Sequence, residues 1–191
     1  MAGGAPLTTR PVASQIASCL IADASPLVAL RLVDRLHWLP KIFGPVHVVT
    51  TVLQEVLTGQ FDASESRIRT ALDKGWLMPI VPNHRCPTRL SLQQRVDWKL
   101  LDPGEADSIA YAMAPTHHPT PPVLLMDERA GRSVCASLGL PVIGTAGLIV
   151  LAKERKLVTV AKTEFERLHE AGFWLAPQVV RMCLLRCGEL A

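Results

Sequence analysis

Two aspartates stand directly after apolar, strand-like runs: Asp23 follows SCLIA and Asp127 follows PVLLM. Between them, Glu55, Glu105 and Asp107 fall in segments with helical patterning. Carboxylates that end buried strands are placed like the ligands of a cation. Three or four of them brought together repel one another and are costly to bury without compensating positive charge, so divalent ions are their natural partners. A set of hard oxygen donors suits Mg2+ or Mn2+ better than zinc, which would usually recruit histidine or cysteine. One or two such ions could activate a water against a phosphodiester and stabilise the charge that develops on it.

Each acid also has a plainer reading. Asp23 precedes Ala24-Ser25-Pro26, where Ser25 reads as a helix cap and Pro26 as the first helical residue, so its carboxylate could simply accept backbone amides of that turn. Asp127 could cap the helix beginning ERAGR. Asp102, Pro103 and Glu105 fit a capping box, which needs no catalysis. With Ala106, Ile109, Ala110 and Met113 defining the apolar face of that helix, Glu105 and Asp107 flank it on opposite sides, each roughly 100° from its centre. Either could look into a cleft. Glu55 borders the apolar face formed by Val52, Leu53, Val56 and Leu57, and by itself reads as a solvated helix glutamate.

Neighbouring side chains suit a phosphate-bearing substrate. Ser25 is a candidate contact, as are Arg129 and Arg132, one turn apart after Asp127. Thr145 could hydrogen-bond an acidic ligand or cap its own helix. His117-His118 and His84-Arg85-Cys86 form no recognisable zinc set, and Cys183 with Cys187 lacks a matching second pair. No glycine-rich phosphate loop follows the first strand.

The elements that must hold these residues alternate. Strands are expected at 18–22, 46–49, 122–126 and 140–143, and helices at 26–36, 51–58, 64–74, 90–100, 102–113, 128–138 and 145–155, with two more in the tail. Strongly apolar strands alternating with helices imply a parallel sheet covered on both faces. Residues 133–152 carry no charge over 20 positions, but Gly139, Pro141, Gly144 and Gly147 divide them into helix end, strand and helix start, so they read as buried core rather than a membrane span. The chain has 191 residues, 20 Lys and Arg against 17 Asp and Glu, and five cysteines without framework spacing. That balance is compatible with nucleic acid without demanding it, and the cysteine usage suggests a reducing, cytoplasmic setting.

The blocks ADASPLVAL, TVLQEVLTG, LDPGEADSIAYA, VLLMDERAGRSVCASLGLPVIGTAGLIVLAKERKL and AGFWLAP, in this order, resemble PIN-domain proteins, specifically their VapC-like branch. The resemblance implies a three-layer α/β/α domain with a central parallel sheet, and four acidic positions around Mg2+ or Mn2+. It also implies an endoribonuclease activity, in that branch as the toxin of a toxin–antitoxin pair. Asp23 matches the first acidic position, Glu55 the second and Asp127 the last, while Glu105 and Asp107 are rival matches for the third. A homodimer and a small antitoxin protein are implied partners beside RNA. The expected organisation is a loose extension at 1–17, the nuclease-like domain at 18–160 and a helical extension at 161–191, packed on the domain or on a partner. A catalytically silent interaction module and a phosphatase for small molecules are the alternatives.

Overall fold

The computed structural model describes residues 19–59, 63–85, 90–92, 98–114 and 122–190. Five short strands form one parallel sheet: β1 (Leu20–Ala22), β2 (Val46–Val49), β3 (Leu77–Ile80), β4 (Val123–Leu125) and β5 (Val142–Ile143), in the order β3-β2-β1-β4-β5. Leu20 pairs with Val46 on one side and Val123 on the other, and Leu124 pairs with Val142. The central strands read LIA and VLL because parallel strands covered on both faces have no polar side to show. β3 contains Pro79, which lacks an amide for a ladder, and β3 accordingly lies at an edge.

Alternation along β1 divides the core. Leu20 and Ala22 join the larger apolar cluster, with α1 (Ala24–Leu32), α2 (Trp38–Phe43), α3 (Thr50–Val56) and α7 (Thr145–Glu154). Ile21 points the other way, with Leu124 and Met126, against Ile109 and Ala112 of α5 (Pro103–Ala112) and Val134 and Cys135 of α6 (Arg129–Ser137). The sheet is therefore flanked by helices on both faces, as the sequence blocks implied. α4 (Ala63–Asp73) precedes β3, and α8 (Ala161–Glu170) and α9 (Pro177–Arg186) complete the chain. Phe165, Leu168 and Leu184 of these last helices are buried in the larger cluster.

The strand order matters most for function. The chain steps outward from β1 to β3, then returns to the other flank of β1 for β4 and β5. Connections leaving β1 and β4 diverge at their carboxyl ends, and such a switch point opens the crevice where α/β sheets bind ligands. Asp23 and Asp127 are the residues beside it, and the Asp23 amide still donates to the Leu125 carbonyl at 3.0 Å.

Several boundaries differ from expectation. α1 starts at Ala24, not Pro26, so Asp23 rather than Ser25 holds the cap position and Pro26 sits inside the first turn, where its missing amide costs nothing. It ends at Leu32, short of 36, as the backbone turns left-handed at Asp34. α2 was not anticipated. Within the helix expected at 90–100, Trp98–Leu100 form a 3-10 turn, and 93–97 lie outside the described residues, as do the extension at 1–17, Cys86 and His117-His118. The uncharged stretch at 133–152 is divided among α6, β5 and α7, and among the described residues no helix is long and apolar enough to cross a membrane.

The tail is fastened by charge as well as by apolar contact. Glu164, buried in α8, accepts two hydrogen bonds from Arg35, at 2.8 and 3.1 Å, and one from Arg167 at 2.9 Å. The Arg35 guanidinium also lies 5.6 Å from the centre of the Trp38 ring. Glu164→Ala removes the carboxylate from a half-buried arginine and is expected to cost about 2 kcal/mol, a fall in Tm of about 4–8 °C in thermal melts. Arg167→Ala, at the solvent side of the same cluster, should cost less than about 1 kcal/mol.

Candidate active site

Asp23 is 3% exposed and occupies the α1 cap position, yet its side chain makes no capping hydrogen bond and Oδ1 has no partner. Burial, followed by the charges of Asp102, Glu105 and Glu55, pushes its pKa up to about 7, against a partial offset from the Ala24 amide. The purely structural account of Asp23 as an ordinary cap is therefore incomplete. A buried carboxylate oxygen with no donor is costly unless something positive reaches it.

Glu105 shows how a capping residue can keep one carboxylate oxygen unused. The capping box is formed: Asp102 Oδ1 accepts from the Glu105 amide at 2.7 Å, and Glu105 Oε2 accepts from the Asp102 amide at 3.1 Å. That uses one carboxylate oxygen. Oε1 is buried without a hydrogen bond and turns toward α6, where a β-carbon on Gly131 would meet it at 2.5 Å. The Gly131 amide is near enough to favour the charged form, but burial and the charges of Asp102 and Glu128 hold the Glu105 pKa above its ordinary value.

Glu55 reaches the same corner from α3. A β-carbon on Gly104 would lie 3.0 Å from Glu55 Oε1 and 3.3 Å from Asp102 Oδ1, so the absence of a side chain there lets α3 and α5 close on one another. Burial and the charges of Asp102 and Glu105 raise the Glu55 pKa. Asp23, Ser25, Glu55, Asp102 and Glu128 share the lining of a cleft of about 380 Å³.

Asp107 is not brought to this group. It is 1% exposed, accepts from the Thr51 hydroxyl at 2.5 Å and faces His84 Nδ1 at 3.4 Å. Two residues along an α-helix turn a side chain by about 200°, so Glu105 and Asp107 cannot serve one cleft. The expectation that Asp107 contributes to the metal set is corrected accordingly.

Asp127 is held differently from Asp23. Its Oδ1 accepts from the Thr145 amide at 2.8 Å and its Oδ2 from the Thr145 hydroxyl at 2.5 Å. Burial raises its pKa, opposed by both Thr145 bonds and by the Arg132 charge. Thr145, grouped by sequence with the substrate contacts and expected either to hydrogen-bond an acidic ligand or to cap its own helix, is completely buried and hydrogen-bonds Asp127. Nor does it cap its own helix, since Gly144 holds that position. Arg132 also donates to the Met126 carbonyl at 3.0 Å. Asp127, Arg129 and Arg132 line a larger trough of about 1180 Å³ beside the acidic cleft. Asp102, expected only as a cap, and Glu128, not expected at the site, both line the acidic cleft, and their one signal in the sequence is their position beside Glu105 and Asp127, in LDPGE and MDER.

The donors fit a hard divalent cation: all are oxygens, and Asp23 Oδ1 and Glu105 Oε1 are buried without partners. Among the described residues no three acid, histidine or cysteine side chains already close into a cage, so the set is an open one.

A family model described as DUF3368, a PIN domain, matches residues 19–189. No curated protein matches the chain.

Two outcomes follow from this geometry. Gly131→Ala would place a β-carbon 2.2 Å from Met126 Sδ and 2.5 Å from Glu105 Oε1, and is expected to cost about 1–3 kcal/mol in denaturant unfolding. The second concerns pH. In cation-free protein, folded Asp23 keeps its proton up to about 7 while the unfolded chain releases it near the ordinary 3.8. Between these values the folded state binds the extra proton, so this group's contribution makes stability fall as pH rises from about 4 to about 7 and then level off. Asp23→Asn should flatten that segment of the Tm profile and raise Tm at pH 8 by at least about 4 °C. A Tm profile with the same slope in both proteins would show that Asp23 is not the strained group.

Proposed function

The chain belongs to the PIN-domain family, most of whose members are nucleases, and from that premise we propose that it is a metal-dependent endoribonuclease hydrolysing RNA phosphodiester bonds. The observation that carries the reading is the pair of buried, unpartnered carboxylate oxygens, Asp23 Oδ1 and Glu105 Oε1, at the switch point of the sheet. They would hold Mg2+ or Mn2+ together with Asp127. Such an ion supplies Lewis-acid polarisation of a phosphoryl oxygen and lowers the pKa of a water.

The chain's own groups account for the rest. Thr145 fixes both oxygens of Asp127, so this carboxylate needs no reorganisation when substrate arrives. Glu55, at the open side of the cleft and with a raised pKa, is placed to accept the proton of the attacking water. Arg129 and Arg132 lie along the trough, where they would bind phosphates flanking the reacting one. Ser25 borders both hollows and can hydrogen-bond a phosphate oxygen.

The finer assignment to the VapC-like branch extends this proposal: a toxin that cleaves RNA until a small antitoxin protein restrains it, acting as a homodimer in the cytoplasm. It is supported by the ordered sequence blocks. One observation favours a second reading. The acids do not close into a ready cage among the described residues, which a catalytically silent interaction module of the same fold would also show.

Purified protein incubated with RNA and DNA separates the two. RNA cleavage is expected with Mg2+ or Mn2+, none with EDTA, and a loss of at least about 100-fold in Asp23→Asn and in Glu55→Gln. RNA binding without cleavage under every metal condition would transfer the assignment to the binding module.

A further inference from the structure

The acidic cleft and the trough share Ser25, Glu128 and Phe173, so they adjoin. At about 1180 Å³ the trough alone exceeds the roughly 300–1,000 Å³ typical of small-molecule sites. It suits an extended polymer rather than a compact metabolite. One side carries Arg129 and Arg132, and Arg129 makes no hydrogen bond or ion pair among the described residues. The same trough is lined by the segment joining α8 to α9, which includes Phe173 and Trp174.

Trp174 is 69% exposed and is the one aromatic among the large exposed apolar side chains of the described residues. An indole gives the fold little when it is left in water. Yet its backbone is well fixed. The Phe173 amide donates to the Leu168 carbonyl at 2.8 Å, Phe173 and Leu175 pack on the main core, and Pro177 starts the next helix. A rigidly mounted, exposed aromatic face on the same trough as an unpaired guanidinium offers one surface for a base and one for its phosphate.

We propose that Trp174, supported by Phe173, is a nucleobase-stacking wall that positions the nucleotide flanking the cleaved bond. This rests on the ribonuclease reading above. The stacking face fixes where the strand enters the cleft, and the base must be unpaired and turned out to reach it. Trp174 is thus a specificity-determining residue that makes no contact with the reacting phosphate.

The test uses the full chain and a 12-nucleotide RNA without self-complementarity, in copies carrying one abasic site at successive positions. Trp174→Ala is expected to raise KM roughly 5- to 150-fold, with kcat little changed, and Trp174→Phe to recover most of the loss. One abasic position should raise KM in the wild type and have no further effect in Trp174→Ala. In Asp23→Asn, which binds without turnover, the same RNA should quench tryptophan fluorescence, and adding Trp174→Ala should abolish the quench. This binding arm separates the two ideas. Quenching that depends on Trp174, with no cleavage by the wild type, keeps the stacking wall and ends the nuclease reading. Cleavage whose KM ignores Trp174 does the reverse. If Trp174→Ala changes the oligomeric state in light scattering while RNA affinity stays the same, the indole belongs to a protein interface and the proposal falls.

Discussion

Like-charged carboxylates held in a desolvated corner are the constraint around which this molecule is organised. Raising an aspartate from 3.8 to about 7 costs a few kcal/mol in the ionised state, a sizeable part of a domain's net stability. The sheet supplies the corner by reversing its order between β1 and β4, and the apolar strands on either side supply the rigidity that keeps the acids there. Two glycines then decide how near the charges come. Gly104 lets α3 carry Glu55 up to Asp102, and Gly131 lets α6 pass over Glu105. A side chain at Gly104 would part Glu55 from Asp102, and one at Gly131 would run into Met126 and Glu105.

The acids solve the cost in different ways. Asp127 is pre-paid by two hydrogen bonds from Thr145 and the field of Arg132, so it is an oriented carboxylate whether or not anything is bound. Glu105 divides its oxygens, one closing the capping box and one left bare. Asp23 has the least compensation and the largest displacement of pKa. A ligand with positive charge would therefore gain most at Asp23 and Glu105, while Glu55 and Asp102 form the solvent-exposed rim. Asp107 is the informative contrast: equally buried, it is satisfied by Thr51 and His84 and has nothing left to offer.

Much of the architecture was legible because its signals are local. Apolar runs such as LIA and VLL, broken by proline and glycine, mark parallel strands, and an acid directly after each could be placed at the carboxyl edge without coordinates. The choice between Glu105 and Asp107 was not legible, because helical periodicity gives angles about one axis and not the neighbour on each side. The capping box at Asp102 and Glu105 formed as read, but the cap reading at Ser25 failed for a related reason. Ser25-Pro26 satisfies the local rules for a helix start, but α1 begins two residues earlier because a proline is tolerated throughout the first turn, whereas the helix expected from 145 does begin at Thr145, whose hydroxyl goes to Asp127 rather than to a cap. α2 is six residues long with Pro40 in its first turn, too short for helical periodicity to mark it.

The C-terminal helices are tied to the site by one element. α7 begins at Thr145, which holds Asp127, and at its other end Lys153 and Glu154 hold the tail: Lys153 pairs with Glu189, and Glu154 accepts from Arg186 at 3.0 Å. Glu189 also accepts from the Ala161 and Lys162 amides at 2.6 and 2.7 Å, occupying the start of α8 where negative charge is favoured, and its pKa is lowered by these donors. A ten-residue helix is a rod of about 15 Å, short enough to be effectively rigid. The same rod that orients Asp127 thus also anchors the far end of α9 and the residues after it, so the acidic cleft and the C-terminal helices are held by one rigid element.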